Sequence, residues 1–175
     1  IFEGGSISMT ADGSKIFAAA NSNIYRLGTL QLPQTKTFDV STKLAPANTD
    51  NAVAKSIIAA KSLRCYDIVA SSVKPLSADG ITPTEARVKI LGGLSFNINC
   101  TQASASSDIT VSLASQYDVS KVRVYKKDSA AANLQDITSQ AVIKNETIAG
   151  KTVTTVSYKA VDGANNDDDH TANSV

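Results

Sequence analysis

Alternation of apolar and polar residues, the period-two signature of a half-buried strand, recurs along most of the chain. Asp108-Ile109-Thr110-Val111-Ser112-Leu113 alternates cleanly and places Ile109, Val111 and Leu113 on one face. Lys121-Val122-Arg123-Val124-Tyr125-Lys126 does the same, with Val122 and Val124 inward. Residues 65–69, 141–144 and 152–159 read as further strands, the last two joined by a turn at Gly150-Lys151. Residues 86–99 hold two apolar runs split by Gly92-Gly93. Strands recur about every 10–15 residues with no amphipathic helix between them. That spacing predicts an all-β fold, an antiparallel β-sandwich of Ig-like, Greek-key type, and not a βαβ arrangement.

The first 30 residues read as a β-meander. Ser6-Ile7-Ser8-Met9 leads to a turn at Ala11-Asp12-Gly13-Ser14, then Lys15-Ile16-Phe17-Ala18, a second turn at Asn21-Ser22-Asn23, and Ile24-Tyr25-Arg26-Leu27. Glycine in the first turn accepts the positive φ that tight hairpins need. Over residues 6–27 this order resembles a propeller blade of the WD40-like or YVTN kind. One unit closes no propeller, and an ordinary hairpin pair joining the main sheet explains the pattern equally well. Residues 31–62 read as a connector punctuated by Pro33 and Pro46, with a strand over 35–40. Asn48-Thr49-Asp50 could cap a short helix carrying Val53, Ile57 and Ala60; a strand through 56–60 is the alternative. The expected organisation is therefore a meander over 1–30, a connector over 31–62 and a sandwich over 63–175.

Composition sharpens this picture. Of the 175 residues 42% are hydrophobic, only 5% are aromatic, and there is no Trp. Lys plus Arg number 17 and Asp plus Glu 16, a net charge of +1. Four of the acids, Asp162, Asp167, Asp168 and Asp169, lie in one C-terminal run, leaving 17 basic against 12 acidic residues elsewhere, a net +5. The basic residues are scattered, which suits a solvated surface and not a nucleic-acid footprint. No run approaches the ~20 apolar residues of a membrane span, and no signal peptide opens the chain. The opening Ile1-Phe2-Glu3-Gly4-Gly5 reads as the interior of a longer protein.

The two cysteines, Cys65 and Cys100, form no C-x-x-C pair, and one His cannot complete a zinc site with them. Their even number in a Ser/Thr-rich β chain favours a disulfide in an oxidising compartment; two buried free thiols are the alternative. A bridge closing that loop contributes on the order of 3–4 kcal/mol in the chain-entropy model.

Three segments resemble the bacterial choice-of-anchor U domain over about residues 63–175. They are Cys65-Tyr66, then Gly93-Leu94-Ser95-Phe96-Asn97-Ile98-Asn99-Cys100 with Ile109-Thr110-Val111-Ser112-Leu113, and the tail from Asp162-Gly163 to Asn173-Ser174-Val175. The tail is similar to a family ending of the form D-G-G-x-G-D-x-D-G-x-x-N-G-x-I-x-D-P, with His170 and Ser174 in place of glycines and the customary Trp absent. The resemblance implies an extracellular β-sandwich preceding a cell-envelope anchor, with no catalytic residues to carry over.

The acidic tail is the best candidate site. Asn165, Asp167 and Asp169 alternate and, with Asp162, could offer oxygen ligands to Ca2+; a solvated acidic loop is the competing reading. Nucleophilic catalysis would have to use His170, the single His, in a polar tail. Asp67 and Glu85 are the candidates for a glycosidase carboxylate pair, against which the low aromatic content counts. Leu91-Gly92-Gly93-Leu94 lacks the Lys and third Gly of a phosphate loop. Lys, Asn and Asp are plentiful enough for an isopeptide crosslink without implying one. Asn99 and Asn145 sit in Asn-x-Thr triplets, for which chance is the better account in a bacterial protein.

The expected function is that of a non-enzymatic structural module on a bacterial surface, a filament subunit or stalk near an anchor. Its partner would be another copy or a neighbouring surface protein, with no nucleic acid and no membrane span. The rivals are a calcium-dependent adhesin or carbohydrate-binding module, and the C-terminal piece of a larger propeller-containing secreted protein.

Overall fold

A computed structural model describes residues 6–10, 15–20, 23–29, 32–42, 52–76, 90–127 and 134–163. The chain divides into two compact units, Ile1–Gln34 and Thr35–Val175.

In the first unit β1 (Ser6–Met9), β2 (Lys15–Ala20) and β3 (Asn23–Thr29) form an antiparallel meander in chain order. Its strands fall where the alternation places them. Thr10 and Lys15 close the base of the first hairpin: the Thr10 N–H donates to the Lys15 carbonyl at 3.1 Å, and the Lys15 N–H to Thr10 Oγ1 at 3.0 Å. The pairing register shifts between Ile16 and Phe17, where Leu27 of β3 is the extra residue.

The second unit is built on a five-stranded sheet. Its members are β4 (Gln34–Asp39), β5 (Ile57–Ser62), β10 (Ser106–Ser112), β13 (Val142–Ile148) and β14 (Lys151–Val161), in the order β13-β14-β10-β5-β4. Facing it are three two-stranded ribbons. β6 (Cys65–Ile68) pairs with β9 (Ile98–Cys100), β7 (Lys74–Leu76) with β8 (Gly93–Ser95), and β11 (Tyr125–Lys127) with β12 (Leu134–Asp136). The described residues include no α-helix, only short 3-10 turns. The fold is all-β and antiparallel, consistent with a β-sandwich whose second layer, among the described residues, is a set of ribbons and not one sheet.

The pairing registers assign the faces. Ile58 and Ala60 of β5, Ile109 and Val111 of β10, and Tyr158 and Ala160 of β14 lie on the same side. Ile58, Ala60 and Ile109 are essentially inaccessible, and they pack with Val40, Ile68 and Val73 into the core. Leu94, Phe96 and Ile98 close over this cluster from the ribbons. Each fully buried aliphatic side chain here contributes roughly 1.5–3 kcal/mol.

Of the readings open for residues 31–62, the structure adopts the strand over 35–40 and the strand alternative through 56–60. Residues 31–62 supply β4 and β5, two members of the main sheet. Among the described residues helix in this stretch is confined to two 3-10 turns, Val40–Thr42 and Val53–Lys55, and the second stops because Ser56 is already extended at φ −87° and ψ 164°. Burial of Ile58 and Ala60 two residues apart suits strand and not helix periodicity. The expected strand over 121–126 shrinks to β11. Val122 is nonetheless buried, and the Val124 backbone is held by Thr138 Oγ1 (2.9 Å) and the Ile137 N–H (2.9 Å).

The last hairpin turns one residue earlier than expected, at Ala149-Gly150, with φ values of 50° and 78°. Positive φ at both central residues is the type I′ geometry that matches the strand twist. Deeper in this hairpin Thr154, fully buried, donates through Oγ1 to Asn145 Oδ1 (2.6 Å) and accepts the Tyr117 N–H (2.8 Å), while Asn145 Nδ2 donates to the Tyr117 carbonyl (3.2 Å). The triangle pins the segment after β10 to the edge of the sheet.

Candidate functional site

The β6–β9 ribbon places Cys65 directly opposite Cys100. The two are joined by a disulfide, with Cα atoms 4.1 Å apart. Such close spacing belongs to non-hydrogen-bonded cross-strand pairs, and the neighbouring Thr101 N–H indeed donates to the Arg64 carbonyl at 2.7 Å. Ser62 seats the ribbon on the main sheet. Its Oγ donates to the Ser106 carbonyl (2.6 Å) and accepts the N–H groups of Arg64 and Cys65, each at 3.0 Å.

Two residues along, Asp67 opposes Asn99. The Asp67 carboxylate forms an ion pair with Lys36 of β4 and accepts Asn99 Nδ2 at 3.2 Å. The Lys36 hydrogen bond, and after it the Asn99 amide, holds the Asp67 carboxyl below the usual range. Lys36 and Asp67 are 50% and 45% exposed, so this contact is screened by solvent. It brings together the three residue types of an isopeptide crosslink. That chemistry needs an unprotonated amine in a dry core, whereas here an ionised carboxylate faces water; the arrangement is an ion cluster.

Between the core face of β10 and β14 and the ribbon strands β8, β9 and β11 runs a groove of about 580 Å³. The disulfide forms part of its wall, with Phe96, Ile98, Ile109 and Ile137 supplying apolar surface. Tyr158 and Ser107 bring hydroxyls to its lining. Burial pushes the Tyr158 hydroxyl up to about 12, so it remains an uncharged O–H. Ser107 Oγ is buried and has no hydrogen-bond partner among the described residues. Lys126, Lys127 and Asp162 also line the groove.

Of the four candidate calcium ligands, Asn165, Asp167 and Asp169 lie outside the described residues. Asp162 is 8% exposed; its carboxylate accepts the Ser104 N–H (2.8 Å) and its own N–H donates to the Ala105 carbonyl (3.0 Å), tying the turn before β10 to the end of β14. Ser104 adopts φ 59° within that turn. Among the described residues no three His, Cys, Asp or Glu side chains come together to hold a metal. His170 and Glu85 also lie outside the described residues, and Asp67 is engaged as above. Both sequon amides, Asn99 and Asn145, are hydrogen-bonded to neighbouring strands or loops.

The groove is the feature that sequence reasoning missed. Its one signal was parity: Ser107 falls on the same face as Ile109 and Val111, a hydroxyl in an apolar row. The chain matches no protein-family model, no curated protein and no solved structure, so the geometry above carries the functional reading.

Proposed function

We propose that this chain is a non-enzymatic structural module of a bacterial surface protein, serving outside the cytoplasm as a stalk or fibre-forming domain near a cell-envelope anchor. The observation that carries this reading is the Cys65–Cys100 disulfide. Cytosolic thiols are kept reduced, and bridges that staple small β domains are a feature of oxidising compartments. The resemblance of residues 63–175 to the choice-of-anchor U domain supports the same setting. Protease shaving of intact producer cells, with alkylation before and after reduction, tests it. Peptides from 63–175 should be released without lysis, with Cys65 and Cys100 alkylated only after reduction. Free thiols in native material, or release only on lysis, would overturn the proposal.

The groove favours one second reading, a binding module. Cavities of several hundred Å³ with apolar walls and few polar groups commonly hold ligands. Here the walls suit an apolar or extended peptide ligand better than a sugar. The calcium-dependent form of this reading rests on Asn165, Asp167 and Asp169. Binding to glycan and peptide arrays that is lost with chelator supports that form; binding indifferent to chelator supports the groove alone, and no binding on either array rejects both.

A further inference from the structure

β13 is an outer strand of the five-stranded sheet; among the described residues nothing pairs with its far side. The Ala149-Gly150 turn decides which of its backbone groups are left over. In a two-residue hairpin the flanking residues, here Ile148 and Lys151, form a hydrogen-bonded pair, and the pattern then alternates. Val142, Lys144, Glu146 and Ile148 therefore turn their N–H and C=O groups toward β14, as the Thr155 Oγ1 bond to the Lys144 carbonyl (3.4 Å) illustrates. Ile143, Asn145 and Thr147 turn theirs outward. A row of unpaired donors and acceptors is a template for another strand.

The strand is also complementary to itself. Laid antiparallel with Asn145 opposite Asn145, two copies bring Val142 against Ile148, Ile143 against Thr147 and Lys144 against Glu146. Val142 and Ile148 are 61% and 42% exposed, and each would cover the other. Lys144 and Glu146 already form an ion pair within one strand. Across the pair they would meet twice with opposite sign. A slip of two residues either way puts Lys144 opposite Lys144 or Glu146 opposite Glu146, so charge selects a single register. In that register the outward-turned residues Ile143, Asn145 and Thr147 fall opposite one another and can ladder. Edge strands usually carry a lysine to repel such pairing; here the glutamate two positions on cancels that repulsion in this one alignment.

We propose that β13 pairs edge to edge with β13 of a second copy of this chain, about a two-fold axis through Asn145, fusing the two five-stranded sheets into one continuous sheet. The proposal deepens the structural-module reading by naming the surface through which copies associate. Association without surface exposure, or exposure without association, separates failure of one from failure of the other. An edge contact alone is small beside stable interfaces, so the dimer is weak and concentration-dependent.

Sedimentation velocity of the oxidised full chain over a concentration series reaching about 1 mM at low ionic strength tests it. Wild type should shift from monomer to dimer. Lys144→Glu and Glu146→Lys alone should each weaken dimerisation on the order of tenfold, because two like-charge contacts replace two attractive ones. An equimolar mixture of the two variants should dimerise again, since every charged pair in the mixed dimer is complementary. Thr147→Pro should also weaken pairing, by removing an outward donor while leaving the β13–β14 ladder alone. A wild type that stays monomeric throughout, a dimer indifferent to both charge reversals, or a mixture no better than its components would each overturn the assignment. Circular dichroism of every variant confirms the fold.

Discussion

Thr154 and Asn145 oppose each other on adjacent strands, and the fully buried Thr154 hydroxyl donates to the Asn145 amide oxygen at 2.6 Å while accepting the Tyr117 N–H. One hydroxyl thus satisfies a side chain on the sheet edge and a backbone group of the segment after β10. Thr154→Val keeps the shape and removes the hydroxyl. With the Tyr117 N–H and the Asn145 carbonyl left unpaired, stability should fall by about 1–3 kcal/mol, measured by urea denaturation. A loss under about 0.5 kcal/mol would mean that water satisfies both groups.

Ala149 occupies a positive-φ position that favours Asn or Gly. Ala149→Asn should raise stability by about 0.5–1 kcal/mol through easier access to the left-handed region. The thermal midpoint reports it; an unchanged or lower midpoint would contradict the turn geometry.

Ser107 buries a hydroxyl that lacks a partner among the described residues. Ser107→Ala should leave stability unchanged or raise it by up to about 1 kcal/mol, since an unpaired polar group is removed from an apolar site. A clear loss of stability would show that the hydroxyl is engaged, by ordered water or a bound molecule in the groove.

Four exposed carboxyls are held below their ordinary values of 3.8 for Asp and 4.5 for Glu: Asp67 by Lys36, Asp118 by the Ser120 hydroxyl and N–H, Asp136 by the Thr138 hydroxyl and N–H, and Glu146 by Lys144. Folded values below unfolded ones mean the native state favours the charged forms. The contribution is complete above the unfolded values and is lost as pH falls through and below them. The urea midpoint should therefore drop between about pH 6 and pH 3, less steeply in Asp67→Asn and less steeply in about 1 M salt. A midpoint flat across that range would exclude these pairs as stabilising contacts.

A strand with one wet and one dry face is legible from sequence, as β10 shows, because alternation reports that contrast directly; β14 is legible as a β-branched run, although Val153, Thr154, Thr155 and Val156 are buried on both faces. β5 is not. Ala59 and Ala60 carry little pattern, and Ile57 and Ile58 are adjacent, so helix and strand periods fitted equally until the sheet buried Ile58 and Ala60. β11 was overextended because Val122 and Val124 are inward without being laddered; an alternating pattern registers burial and not hydrogen bonding. The pairing of Cys65 with Cys100 followed from counting to two. Of the groove only the parity of Ser107 is legible, because its shape depends on how three ribbons sit over a sheet, which no local pattern encodes.

The bridge between directly opposed residues of β6 and β9 also governs how the module behaves under tension. The two half-cystines are 35 positions apart. A pull along the chain travels through the sulfurs and bypasses the enclosed segment, so about 120 Å of contour stays locked even after the sheet has torn. Reduction would release that hidden length as a longer extension step, which makes the bond a limit on stretch as well as a clamp against unfolding.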